Sequence, residues 1–122
     1  MSFTLAPIST MRNTSIRVHG DRNEGGEFVV YTVHDKDRNT EEDGGVGLLC
    51  FQNGPVKEKG VNGVTIEDLL EICIHRLTCF QTGPYACSSN EQAADFIKLA
   101  LGRLDSRTAE RMKRNVEGTM QV

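Results

Sequence analysis

The sequence lacks any run of apolar residues long enough to cross a membrane. No stretch of eighteen consecutive apolar residues occurs in its 122 positions. Residues 1–13 also lack the basic segment leading into an apolar segment that marks a secretory signal. We therefore expect a soluble protein that is not exported and has no membrane partner.

An excess of positive charge is also absent. The chain has 14 Lys and Arg residues against 17 Asp and Glu residues, a formal net charge of −3 at pH 7. Generic DNA, RNA and membrane binders are usually basic. The exception is local, because residues 98–114 hold six basic side chains against two acidic ones. The sequence therefore predicts a small anionic ligand and no DNA.

Metal-binding cysteine motifs are the third absence. None of the four cysteines lies in a C-x-x-C spacing. Free cysteine behaves as a small apolar residue, and a cytosolic setting keeps it reduced. We expect no metal, no cofactor, and buried or half-buried thiols at Cys50, Cys73, Cys79 and Cys87.

Alternating apolar residues predict a small antiparallel β-sheet at the amino terminus. Residues 14–19 alternate with Ile16 and Val18 on one face, as a half-buried strand does. Two further strands are expected at residues 28–33, rich in β-branched and aromatic side chains, and at residues 46–51.

The segments around these strands carry no strand signal. Residues 1–13 have no sustained period and are expected to form a loosely held arm. Residues 34–45 are acidic, contain no aliphatic side chain, and predict a mobile surface loop. Residues 52–64 are rich in glycine and predict a linker of tight turns, whose backbone amides could cradle an anion or simply connect two elements.

Two helices are predicted after the linker. The first, roughly 66–81, starts with the weak capping signal Thr65-x-x-Asp68. The second, about 90–115, follows a capping-box spacing in residues 88–91. Apolar stripes predict the packed faces of these helices: Ile66, Leu69, Leu70, Cys73, Ile74, Leu77 and Phe80 on the first, and Ala93, Phe96, Ile97, Ala100, Leu101 and Leu104 on the second.

The predicted fold class is α+β in a single domain, with a β-region at 1–51, a glycine-rich linker at 52–64 and an αα-hairpin at 65–119. The second helix is longer, so its last two turns are expected to project past the start of the first helix. Arginines at 103, 107 and 111 recur every four residues and share one helical face. Guanidinium groups bind phosphate bidentately, so this row favours a di- or polyphosphate ligand.

Several motifs resemble one known family. Over residues 46–119 the chain closely resembles the phage anti-Thoeris signal sponges, which sequester glycocyclic ADP-ribose made by TIR-domain defence enzymes, and some of which also bind cyclic oligonucleotides of CBASS defence. The motifs that carry the resemblance are Phe51-Gln52-Asn53-Gly54-Pro55-Val56-Lys57-Glu58, Gly60-Val61-Asn62-Gly63, His75-Arg76-Leu77, Phe80-Gln81, Gly83-Pro84-Tyr85-Ala86-Cys87, Asn90, Arg107-Thr108, Arg111 and Val116-Glu117-Gly118-Thr119.

The resemblance implies a role for four residues. It implies that Phe80 stacks on adenine, that Asn90 hydrogen-bonds the ligand, and that Arg107 and Arg111 hold the pyrophosphate. It also implies a non-enzymatic protein of the bacterial host cytoplasm that binds cyclic ADP-ribose isomers without cleaving them. For a separate cyclic trinucleotide site, the candidates are Lys57, Lys59 and Asn62 in the glycine-rich linker.

Helix geometry bears on whether these four residues can line one pocket in a single chain. Seventeen helical residues separate Asn90 from Arg107, roughly 26 Å, which is too far for one nucleotide to bridge. If all four residues line one pocket, the pocket must combine two chains, and we predict an antiparallel dimer with two equivalent sites. Relatives are described as hexamers of three such dimers, so dimers or trimers of dimers are the expected assemblies.

Other interpretations of the same residues stay open. Phe80 could belong to the core, Asn90 could cap a helix, and the arginines could offset the negative end of a helix. The rival functions are a structural assembly module with no ligand, or a nucleotide-cleaving enzyme built on His75 with a neighbouring cysteine. A helix-turn-helix DNA binder is disfavoured because the second helix is too long and the net charge is negative.

Overall fold

The computed structural model describes residues 8–38 and 45–122 of the chain. They form two compact units, Met1–Val64 and Thr65–Val122, and each unit is described by itself. The first holds an antiparallel sheet and the second a pair of helices, so the predicted α+β class is confirmed. Among the described residues, no helix combines the length and the apolar character that a membrane span requires.

Within the described ranges, four strands in the order β1-β2-β3-β4 form the sheet. They are β1 (Ile8–Ser9), β2 (Thr14–His19), β3 (Val30–Asp35) and β4 (Gly47–Cys50), and every neighbouring pair is antiparallel. The three predicted strands are therefore present, although β3 begins two residues later than expected.

Two predictions about the segments around the strands were wrong in the parts that the structure describes. Of the expected arm at residues 1–13, residues 1–7 lie outside the described residues, and Ile8–Ser9 form strand β1, where Ile8 pairs with Ile16. The expected loop at residues 34–45 begins inside strand β3, and the His34 side chain there is buried. After β3, a 3₁₀ turn covers Lys36–Arg38. The rest of that predicted loop, residues 39–44, lies outside the described residues.

Strand β2 is buried on both faces. The alternation of apolar and polar residues had indicated burial of the apolar face only. Val18 is buried on the apolar face, and Arg17 is buried on the other face, where it pairs across the strands with Thr32. The Thr32 hydroxyl lies between two imidazoles, 2.7 Å from His19 Nε2 and 2.6 Å from His34 Nε2. Hydrogen bonds of this kind offset the cost of burying polar groups, which is why polar residues can occupy an inner face.

The glycine-rich segment forms a loop that closes on its own base. Backbone bonds join Gln52 N–H to Val64 O and Val64 N–H to Cys50 O, at 2.8 and 2.9 Å. Within the loop, a one-turn helix α1 covers Val56–Lys59. Gly63 lies at the closure, where a Cβ atom would stand 2.4 Å from the backbone carbonyl atoms of Phe51. Glycine is therefore required there for close approach of two backbone segments.

We expect Gly63→Ala to destabilise the first unit by about 1–3 kcal/mol, since a side chain forced into closely packed backbone must displace it. Gly47→Ala is the matched control, because its added Cβ would stand 3.8 Å from Val33 Cβ, which is ordinary contact. Urea unfolding of both variants measures the free energies of unfolding. Equal stability of the two variants would show that the loop does not close as tightly as described.

The second unit is an antiparallel pair of helices, α2 (Ile66–Gln81) and α3 (Ser88–Lys113), close to the predicted limits. Thr65 and Asp68 form a reciprocal capping box at the start of α2, which confirms the predicted cap. Helix α3 ends in a Schellman turn, in which Asn115 has a φ of 58° and Val116 N–H donates to Arg111 O at 3.0 Å.

The start of α3 differs from the predicted capping box. The residue before the helix is Cys87, and no side chain caps it. Instead, the Gln81 amide exchanges two 3.0 Å bonds with the Cys87 backbone, from Gln81 Nε2 to Cys87 O and from Cys87 N–H to Gln81 Oε1. The end of one helix thus fixes the start of the next across the turn.

Few apolar side chains are covered in this unit. Among its described helical residues only Ala94 is fully buried. Four residues assigned to the packed stripes are exposed. All four cysteines of the chain are exposed as well, so the expectation of buried or half-buried thiols was wrong. The exposed stripe residues, which lie on the outer sides of the two helices, are Ile66, Cys73, Phe96 and Ala100.

Candidate functional site

An open pocket of about 290 Å³ lies at the turn between α2 and α3. Phe80, in the last turn of α2, supplies an aromatic wall and is half-buried. The Arg76 guanidinium lies over the Phe80 ring at 5.3 Å from its centroid, a cation–π contact that limits the motion of the ring. The other walls are Cys79, Gly83, Pro84 and Tyr85. The pocket thus offers flat aromatic surface beside a positive charge.

Asn90 lies in the first turn of α3, beside the same turn of the chain. Its side-chain amide donates to the backbone oxygen of Tyr85 at 3.3 Å, so Asn90 helps to hold the turn that forms the pocket wall. Its carbonyl Oδ1 accepts no hydrogen bond from the part of the chain that the structure describes. The amide therefore has an acceptor left for a ligand, and Asn90 does not cap the helix.

Arg107 lies at the opposite end of the hairpin. Its Nη2 is 3.7 Å from Glu67 Oε2 in the first turn of α2, and its side chain is 59% exposed. This contact places Arg107 level with the start of α2, which corrects the expectation that its turn projects past that helix. Exposed ion pairs of this length contribute little, so the Arg107 guanidinium can exchange Glu67 for another anion.

Arg111, one turn later, is held much more firmly. Nε donates to Glu117 Oε2 at 3.1 Å, Nη1 donates to the Gln121 carbonyl at 2.6 Å, and Nη2 donates to the Val116 and Thr119 carbonyls at 3.0 and 3.1 Å. Four of its five N–H groups are thereby used. Its side chain is only 19% exposed. Arg111 organises the end of the chain as well as offering charge.

The predicted residues fall into two groups within this unit. Phe80 and Asn90 lie at the turn end of the hairpin, whereas Arg107 and Arg111 lie seventeen and more residues further along α3, roughly 26 Å away. A pyrophosphate bound to the arginines cannot carry a nucleoside that also reaches Phe80 of the same chain. One hairpin therefore does not bring the four residues together.

The second candidate site lies in the glycine-rich loop of the first unit. Asn62 is engaged in the loop itself, because it accepts from Asn53 N–H and donates to Asn53 O, both at 2.8 Å. Lys57 and Lys59 are exposed on α1. Within the described residues, neither lysine lies against a carboxylate. The loop thus presents two available cations, Lys57 and Lys59, whereas the Asn62 side chain stabilises the loop itself.

Sequence reasoning did not assign Arg76, Tyr85, Glu67 and Glu117 to the site. The spacing of Arg76 and Phe80, four apart on one helix, was a signal for their contact. Glu117 carried no comparable signal, because it reaches Arg111 only after the chain reverses at Asn115.

No family model matches the sequence. Among curated proteins, the chain is similar to Thoeris anti-defense 1 of Bacillus phage SBSphiJ7, with 46% identity over 76 residues. The match covers 62% of this chain and 54% of that protein, so the chain spans about half the length of the curated relative it matches. This similarity confirms the resemblance to the anti-Thoeris family that the motifs indicated.

Proposed function

We propose that this relative of an anti-Thoeris protein is a phage anti-defence protein that binds and sequesters the cyclic ADP-ribose signals of TIR enzymes, glycocyclic ADP-ribose foremost. The signal is held and not cleaved, so the Thoeris effector of the host is not activated. The name of the relative supports the anti-Thoeris role. The site residues support the class of ligand.

The division of the site into two groups matches the chemistry of such a ligand. Adenine binds well to an aromatic face, which Phe80 and Tyr85 offer beside the pocket. Base or ribose edges bind an amide, which Asn90 offers through its Oδ1. A pyrophosphate binds guanidinium groups, which Arg107 and Arg111 offer at the other end of α3. Both halves of a nucleoside diphosphate are thus accommodated, but in different places.

The single observation that carries the proposal is this separation, because residues so far apart on one chain can share one ligand only if a second chain joins the site. The midpoint between Asn90 and Arg107 falls at residues 98–99, so an antiparallel partner that crosses there sets each Arg107 beside the Asn90 of the other chain. Leu99 lies at this midpoint and Phe96 just before it, and their exposures are 68% and 70%. Exposed large apolar side chains of this kind mark an interaction surface. We propose that a second copy of the chain covers them, with three such dimers in a hexamer.

The surroundings of Cys79 and His75 support binding without reaction. Cys79 Sγ lies 3.8 Å from His75 Nε2, one turn apart on α2. Among the described residues no third side chain orients the His75 ring, and a catalytic nucleophile normally needs such a partner. The pair also lies on an exposed helix face, where water is not excluded.

The available lysines of the glycine-rich loop support a second ligand. We propose that Lys57 and Lys59 bind the phosphates of a cyclic trinucleotide, as a CBASS signal would present them, with the loop held by Asn62. Three phosphates spaced around a ring favour several separate cations over one forked guanidinium. The protein then acts in the cytoplasm of the bacterial host, where both signals are made.

We expect glycocyclic ADP-ribose to bind with nanomolar affinity, about 12 kcal/mol, because a sponge must hold its ligand more tightly than the effector does. Isothermal titration calorimetry on the full chain measures the affinity, and heat denaturation followed by chromatography identifies the released nucleotide. Intact nucleotide, one per chain, is the expected result. Altered nucleotide would show an enzyme and direct attention to His75 and Cys79. Absence of binding to this signal and to cyclic trinucleotides would favour a structural module.

A further inference from the structure

Four residues of the segment after α3 bond the Arg111 side chain. Glu117 supplies a carboxylate oxygen, and the Val116, Thr119 and Gln121 carbonyls supply three more acceptors. These acceptors come from four residues of the segment after α3 and converge on one guanidinium.

The backbone of the segment explains this convergence. Asn115 reverses the chain at the end of α3, so that the following residues run back beside the helix. The Thr119 hydroxyl bonds the Val116 carbonyl, and its backbone N–H bonds the same oxygen at 3.1 Å. The turn is thus closed around residues 116–119, and its carbonyl oxygens point to one side. Arg111 occupies the centre of that side.

One N–H of Arg111 is left. Nη1 carries two hydrogens and donates only to the Gln121 carbonyl, so its second N–H has no acceptor among the described residues. A ligand oxygen that approaches there meets a donor whose direction is already fixed. Arg107 is different, because its side chain makes one 3.7 Å contact within the part of the chain that the structure describes and must be immobilised when the ligand binds.

We propose that Glu117 and the carbonyl oxygens of the segment Val116–Gln121 position Arg111, so that it presents one fixed Nη1–H to a ligand phosphate. This inference rests on the proposed function, since it assigns the segment to the same phosphate site. The segment is then a specificity element: it lets Arg111 give one directed hydrogen bond, whereas Arg107 supplies a mobile positive charge. Glu117 is a positioning residue, since it touches Arg111 and not the ligand.

The two arginines therefore respond differently to lysine. Arg107→Lys keeps a mobile cation near the phosphate and is expected to weaken binding less than tenfold. Arg111→Lys replaces five donors in a plane by three on one atom, which cannot satisfy four fixed acceptors and still reach a ligand. We expect that variant to lose at least as much affinity as Glu117→Ala.

The test compares Glu117→Ala with Glu110→Ala in the full chain. Glu110 pairs with Arg114 at 2.5 Å in the same part of the helix, so its removal deletes the same charge without touching Arg111. Calorimetry with glycocyclic ADP-ribose measures binding, and the ¹⁵N spectrum of the arginine Nε–H groups reports whether Arg111 is held. We expect a loss of tenfold or more for Glu117→Ala, with a broadened Arg111 signal and unchanged helix content, and little change for Glu110→Ala.

Two results would overturn the inference. If Glu117→Ala binds as tightly as wild type, or if Glu110→Ala loses as much affinity as Glu117→Ala, the segment does not position Arg111 for the ligand while the proposed function stands. If wild type itself binds no glycocyclic ADP-ribose, the proposed function fails, and the phosphate role of the segment fails with it. A sharp Arg111 signal in that case identifies a purely structural contact.

Discussion

Replacing Arg107 by alanine is expected to weaken binding of glycocyclic ADP-ribose at least a hundredfold while leaving the fold and the assembly unchanged. The side chain is exposed, and the 3.7 Å pair with Glu67 is its one contact among residues 8–38 and 45–122, so the free protein loses little when it is removed. In the complex, loss of one partner of a close charge pair costs about 2–5 kcal/mol. Calorimetry, circular dichroism and sedimentation measure the three quantities.

Arg103→Ala is the matched control for this prediction. Arg103 is exposed on the same helix, one turn before Arg107, and carries the same charge. If the phosphate site depends only on general positive potential, both variants should lose similar affinity, with a similar change in salt dependence. A large loss confined to Arg107 would show a directed contact. Equal losses would show that the row of arginines acts as a diffuse charge.

Arg111→Ala is a less direct test of the same site. Its guanidinium bonds Glu117 and three carbonyl oxygens, so its removal also releases the end of the chain. A loss of binding in that variant would not separate the ligand contact from the structural one. This difference between two neighbouring arginines cannot be read from their spacing, because it depends on a reversal of the chain after α3.

The limits of the helices could be predicted well from the sequence. Periodicity and the Thr65–Asp68 cap determine where α2 begins, because both act between residues close in the chain. The start of α3 was predicted less well, since its terminal groups are satisfied from Gln81 across the turn instead of by the local Ser88–Glu91 spacing. The local capping signal is therefore replaced by the Gln81 side chain, which the hairpin brings next to the start of α3.

The buried faces of the helices and strands were harder to predict than the residues at which the helices begin and end. Phe96 was assigned to the packed stripe of its helix but is 70% exposed. A sequence reports that a side chain is apolar, but it does not state whether the helix beside it or another chain will cover it. Strand β2 shows the converse. Alternation places Arg17 on the face opposite Ile16 and Val18, which suggests exposure to solvent, but Arg17 is buried. Its burial depends on polar partners that alternation cannot register.

The residues of the site were recognisable by type and resemblance, but their arrangement was not visible in the motifs. Phe80, Asn90, Arg107 and Arg111 each have a plausible structural role, and the structure gives Asn90 and Arg111 one in addition to any ligand contact. The distance along α3 is the part that sequence alone supplies correctly, because a helix has a fixed rise per residue. That distance yields the prediction with the largest effect.

Mixing two inactive variants is expected to restore binding. In the proposed antiparallel dimer, Phe80→Ala removes the aromatic wall and Arg107→Ala removes the phosphate contact, so each homodimer has two defective sites. In a mixed dimer, one site combines Phe80 and Asn90 of one chain with Arg107 of the other and is complete, whereas the second site has both defects. Random exchange makes half of the dimers mixed, so about one quarter of all sites should bind at wild-type affinity. Titration calorimetry of the mixture measures that fraction.

Two controls decide what a negative result would mean. Phe80→Ala must melt near the wild-type temperature, and Phe80→Leu replaces it if it does not, because leucine keeps the apolar volume without the aromatic face. Phe96→Asp places a charge at the midpoint of α3 and should give monomers that neither bind nor complement. Restored binding that disappears when Phe96→Asp is added to both chains would locate the shared site at the α3 crossing. Exchange of subunits without restored binding would mean that Phe80 of one chain and Arg107 of the other do not share a site, and the two-chain pocket would be wrong.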